Sequence, residues 1–112
     1  MIHEINLEIN KPEVVVALRT LEFFIANVRV QNEKVIKIIH GYGSSGRGGK
    51  IRSATRKMLK EYKDSGKITL LIKGEKFSIF DPATRYLIEK CPETANDPDL
   101  NNGNMGITYI ML

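Results

Sequence analysis

Residues 35–59 read VIKIIHGYGSSGRGGKIRSATRKML, and this stretch decides the fold. Val35 to Ile39 is apolar and β-branched except for Lys37, the pattern of an interior strand covered on both faces. Gly41 to Gly49 holds five glycines among nine residues and is a loop. From about Lys50 to Asp64 the apolar residues Ile51, Ala54, Met58, Leu59 and Tyr62 return at helical spacing. Arg52, Arg56, Lys60 and Lys63 form a basic stripe on another face, and Gly66 closes the helix. A strand that passes to a helix through such a loop gathers backbone N–H groups and the positive end of a helix dipole at one point. That favours an anion, of which phosphate is the commonest.

Upstream, Ile5, Leu7 and Ile9 alternate with polar residues and suggest a half-buried strand. Asn10 and Pro12 read as a helix start, with Glu13 able to reach back. Val14, Leu18, Leu21, Ile25 and Val28 then make one apolar helical stripe. Downstream, Ile68 to Ile72 reads as a third strand. Asp81-Pro82 opens a short helix to about Lys90, and residues 93–104 read as a loop. Ile107 to Leu112 ends the chain as a strand with no polar tail. The order β-α-β-α-β-(short α)-β predicts a two-layer α/β sandwich with a mixed sheet.

At 112 residues, with 42% hydrophobic and 27% charged residues, the chain suits one soluble domain. No apolar run approaches the roughly 20 residues of a membrane span, and nothing at the N-terminus resembles a signal peptide. Cys91 is the sole cysteine, which leaves no internal disulfide or thiolate cluster and fits a cytoplasmic location. The net charge is +4, but its distribution is lopsided. Between His40 and Lys67 eight basic residues face two acidic ones, whereas the rest of the chain is slightly acidic. Such a segment is the footprint of a surface that meets phosphates, or otherwise an ordinary solvated helix face.

Three phosphate-loop patterns compete for the glycines. A Walker A loop fails, because Ser44 stands at its first glycine and Ile51 where the metal-binding hydroxyl belongs. Gly41-Tyr42-Gly43-Ser44-Ser45-Gly46 matches G-x-G-x-x-G literally. Arg47-Gly48-Gly49 prolongs that loop, however, and no ribose-binding acid follows about twenty residues on, so a dinucleotide site is a minor alternative. The third pattern is a family resemblance. His40-Gly41-Tyr42-Gly43, two serines, Gly46 and then Lys50-Ile51-Arg52 resemble the HGxG(S/T)xG…(L/I)R signature of the Smr (small MutS-related) domain, and Gly106 to Leu112 resembles its last strand.

That resemblance implies a fold similar to the C-terminal domain of translation initiation factor three. It also implies nucleic-acid binding, with DNA nicking or endonucleolytic RNA cleavage, in some cases on ribosomes. Residues 1–112 would be one Smr-like domain, with 74–104 an insertion before the last strand. The family's first-strand L-D-x-H motif is missing: Ile5-Asn6-Leu7-Glu8-Ile9 has no histidine and keeps a carboxylate in Glu8.

The expected phosphate contacts are Gly41, Tyr42, Gly43, Ser44, Ser45, Gly46, Arg47, Gly48, Gly49, Lys50, Arg52 and Arg56, with Tyr42 able to stack on an unpaired base. His40 and Glu8 are the groups available for proton transfer, although His40 serves equally well as a loop tie. Asp97, Asp99, Asn101 and Asn102 invite comparison with a calcium loop, but Asn102 stands at its glycine position and Thr108 at its glutamate. No metal or cofactor is expected there or elsewhere.

Overall fold

A computed structural model describes residues 1–32, 34–42 and 48–112. The expected phosphate contacts Gly43, Ser44, Ser45, Gly46 and Arg47 lie outside the described residues. Strand β1 spans Ile2–Asn6, helix α1 Val14–Val30, β2 Val35–Ile39, α2 Gly48–Asp64, β3 Leu70–Lys73, α3 Pro82–Lys90 and β4 Ile107–Met111. Single 3-10 turns cover Gly74–Lys76 and Pro92–Asn96.

The four strands form one mixed sheet in the order β1-β2-β4-β3, with β1 parallel to β2 and β4 antiparallel to both of its neighbours. The mixed α/β class is therefore as the sequence implies. β2 and β4 occupy the centre, which explains their apolar runs: four of five β2 residues and all of β4 are buried.

Alternation along the strands sends side chains to opposite faces. Ile36, Ile38 and Ile110 pack against Leu21, Ile25 and Val28 of α1 and Leu59 of α2. On the other face Val35, Ile107, Tyr109 and Met111 pack against Phe77, Leu87 and Cys91, so α3 and its flanking turns cover that side. The rings of Phe77 and Tyr109 stand 4.7 Å apart, tilted by 38°.

The third strand starts at Leu70 rather than Ile68 and α2 at Gly48 rather than Lys50, and two features near the N-terminus also differ from the sequence reading. The first strand lies earlier, and Ile9 is 64% exposed. Asn6 is the reason: its Oδ1 accepts the Glu8 N–H at 2.9 Å, a local turn that ends the ladder soon after Leu7 bonds Ile39. Asn10 does not cap α1 either. It adopts φ 64°, and Glu13 takes the cap position, its side chain not bonding the helix's first N–H groups. In contrast, Asp81 caps α3 as read, accepting the Thr84 N–H at 2.9 Å with Pro82 in the first turn.

Candidate functional site

His40 follows β2, and the period of two places it on the face of Ile36 and Ile38, beneath α2. It has no exposed surface. Nδ1 lies 2.7 Å from the Gly41 carbonyl and Nε2 lies 2.8 Å from Thr108 Oγ1. A carbonyl only accepts, so Nδ1 carries the proton and Nε2 accepts from the Thr108 hydroxyl. That hydroxyl in turn accepts from Arg56 Nε at 3.2 Å. Every donor in the chain Arg56–Thr108–His40–Gly41 thus meets an acceptor. Burial pushes the imidazole pKa down to about 4, and the Arg56 and Arg52 charges push the same way against the Gly41 carbonyl. At neutral pH His40 is uncharged, enclosed and engaged at both nitrogens, so it offers no basic lone pair at the surface.

Arg56 also turns inward, away from the solvent-facing stripe. Its Nη1 and Nη2 form a fork on the Glu75 carboxylate at 2.9 and 2.8 Å, and Nη2 reaches the Ile107 carbonyl at 3.1 Å. The side chain is only 12% exposed. Burial alone would raise the Glu75 carboxyl, but the Arg56 guanidinium outweighs it and holds the pKa below the ordinary range. These bonds occupy four of the five guanidinium hydrogens, leaving one on Nη1, so Arg56 cannot present a two-pronged face to a phosphate unless the pair opens.

The loop's first glycine is a crossing point. Gly41 sits at φ 73°, and a Cβ there would collide with the Glu8 carboxylate, reaching 2.8 Å from Oε1. Glu8, half-buried just beyond β1, is therefore brought against the loop at Gly41, although 33 residues of sequence separate the two. The Gly106 carbonyl accepts both the His40 N–H (2.9 Å) and the Gly41 N–H (3.0 Å). The Gly41 amide, expected in the anion cup, is thereby turned to β4. Tyr42 remains 54% exposed, its ring edge close to Gly106.

The other cations of α2 behave differently. Lys50 and Lys57 are exposed and Arg52 is half-exposed; none has an ion-pair partner among the described residues. Arg52 is near enough to lower the pKa of both His40 and Glu75. Lys60 pairs with Asp64 at 3.1 Å across one helical turn, a solvent-exposed contact of small energetic weight. Between α2 and β3 runs a groove of about 460 Å³ lined by Arg56, Lys57, Lys60 and Lys73 together with Glu61, Asp64 and Leu71.

Residues 9–76, from the turn after β1 through α1, β2, the glycine loop, α2 and β3, match the family model of the Smr domain. The chain belongs to the Smr domain family. Its fold is similar to the crystal structure of the Smr domain of Thermus thermophilus MutS2, with a TM-score of 0.61 and 18% identity over 98% of this chain and 96% of that one. At that identity the likeness is one of fold. No curated protein sequence matches closely enough to count as a relative.

The Smr domain also contains a cluster that sequence reasoning did not assemble. Lys37, 6% exposed at the centre of β2, places Nζ 3.0 Å from Asp97 and 2.6 Å from Asp99. Burial opposes its charge, but the two carboxylates outweigh that and raise the pKa. The Tyr109 hydroxyl donates to Asp97. Asp99 accepts from Asn104 Nδ2 at 2.9 Å, and Asn104 Oδ1 accepts the Gly106 N–H at 2.8 Å. The acidic loop that invited a calcium comparison thus already holds an ammonium ion. The break of an apolar strand by Lys37 was the one legible sign, since a buried lysine requires acidic partners.

Proposed function

We propose that this Smr domain is a nucleic-acid-binding module that grips the phosphate backbone at the glycine loop and the first turns of α2, and that His40 shapes the loop rather than transferring protons. The observation that carries this reading is the division of labour among cations. Lys50, Arg52 and Lys57 have no acidic partner among the described residues, whereas Arg56 is locked to Glu75. Gly41 to Gly49 would supply main-chain donors beyond Gly41, with Arg47 beside them. DNA and RNA, ribosomal RNA included, are both within this chemistry, and the cytoplasm is the expected setting. The chain would act as one domain, with residues 74–104 added before the last strand.

Binding through three or four phosphates gives a log–log salt slope of about −3, with little sequence preference. The test is fluorescence anisotropy on labelled oligonucleotides at low and moderate salt. Lys50→Glu plus Arg52→Glu should abolish binding without unfolding the protein, and no cleavage product should form. Full affinity in the double variant would refute the assignment. Arg56→Glu is a poor probe, because it breaks a structural pair. A second reading, phosphodiester cleavage, draws on Glu8 at the loop mouth. Activity in the wild type that disappears in Glu8→Gln would establish it.

A further inference from the structure

A cleft of about 370 Å³ opens beside the glycine loop, lined by Tyr42, Asp99, Asn102, Gly103, Asn104 and Met105. We propose that it is a subsite for one unpaired nucleobase, stacked on Tyr42, so that the nucleic acid bound by this domain is single-stranded where it meets the loop. The proposal rests on the nucleic-acid reading and narrows it.

The lining selects a flat, uncharged ligand. Tyr42 supplies an aromatic wall that is 54% exposed, and Met105, 45% exposed, supplies a polarisable one. The only carboxylate, Asp99, already faces Lys37 and Asn104. It therefore presents no free charge to repel a strand or to attract a cation. Polar capacity remains: among the described residues the main-chain N–H groups of Gly103, Asn104 and Met105 donate no hydrogen bond. Amide groups around an aromatic face are the means by which proteins hold splayed-out bases. The volume falls in the lower part of the range of ligand clefts, about 300–1,000 Å³.

The cleft is also built in advance. Asn104 is tied to Asp99 and Gly106, Gly106 holds the His40 and Gly41 amides, and Arg56 reaches the Met105 carbonyl at 3.4 Å. Tyr42 fits close to Gly106 because position 106 has no side chain, a Cβ there lying 3.3 Å from Tyr42 Cδ1. Little ordering is left for binding to impose. A base in the cleft would leave its own phosphate next to the loop, where a duplex could not bring one without unpairing.

The experiment compares wild type, Tyr42→Ala and Tyr42→Phe on a single-stranded oligonucleotide carrying 2-aminopurine and on a duplex of equal length. The expected result is 2-aminopurine quenching with the wild type and Tyr42→Phe. Tyr42→Ala, with unchanged thermal stability, should bind the single strand roughly 5- to 100-fold more weakly and lose much less affinity for the duplex. Single-strand affinity unaltered in Tyr42→Ala would overturn the subsite and leave backbone binding standing. Failure of the wild type to bind either nucleic acid at low salt would overturn both.

Discussion

The buried imidazole of His40 makes the stability of this domain depend on pH in a calculable way. An unfolded chain exposes His40 to water, where it titrates near 6.5; in the folded protein burial holds it at about 4. Between these values the unfolded state binds the extra proton, so folding weakens as the pH falls. The native-state contribution is complete above 6.5 and disappears as the pH drops through 4. Its full size is about 3 kcal/mol, from 1.36 kcal/mol per tenfold change in proton affinity, and about 2 kcal/mol has gone by pH 5. Urea unfolding followed by circular dichroism at pH 7.5, 6, 5 and 4.5 measures this.

His40→Gln provides the reference, because it retains every other titrating group, His3 included. The variant should start less stable at pH 7.5, having lost the Thr108 and Gly41 bonds. Its deficit should then shrink by about 2 kcal/mol by pH 5. Parallel loss of stability in the two proteins over that range would refute the reasoning. A His40 ring resonance titrating near 6.5 in the native protein would do the same, since it would mean that water reaches the imidazole.

Four further outcomes follow from the geometry. Arg56→Ala should destabilise the domain by about 3 kcal/mol, because it removes the fork on Glu75 and leaves Thr108 without its donor; Arg56→Lys should rescue little of this in chemical denaturation. Thr55→Val should stabilise by about 1 kcal/mol, since the Thr55 hydroxyl is buried without a partner among the described residues; equal or lower stability would show that the hydroxyl is satisfied. Gly41→Ala should cost at least about 1 kcal/mol for its positive φ alone, and pairing it with Glu8→Ala should recover only the part due to the collision. Burial raises the Asp99 carboxyl but the Lys37 bond outweighs it, leaving the pKa below 3.8. Its stabilising effect is therefore present above that pH and is lost as the pH falls further, a loss that Lys37→Met should flatten in acid unfolding curves.

Much of the architecture was legible in local pattern. Val35 to Ile39 reads as an interior strand, and β2 lies between β1 and β4. Asp81-Pro82 reads as a helix start, and the cap bond is present. These features depend on residues a few positions apart, whose periodicity and capping chemistry are carried by the chain itself. Ile5 to Ile9 misled for a related reason: alternation was real, but the Asn6 side chain competed with the ladder and shortened the strand.

The candidate site was less legible. The sequence by itself determined the glycine loop, the concentration of positive charge after it, and membership of a family whose signature spans that stretch. The tertiary structure alone decided which of those charges face solvent and which protonation state His40 holds. Arg56 meets Glu75 and Thr108, Lys37 meets Asp97 and Asp99, and Gly41 meets Glu8 and Gly106. Each of these depends on β4 lying antiparallel to β2 in the register that sets Thr108 opposite Ile38, or on the turn after β1. A slip of one residue would turn Thr108 to the other face of the sheet and remove the hydroxyl that joins His40 to Arg56. No spacing within residues 35–59 encodes that alignment; it is selected by burial of the whole sheet against two layers of helices.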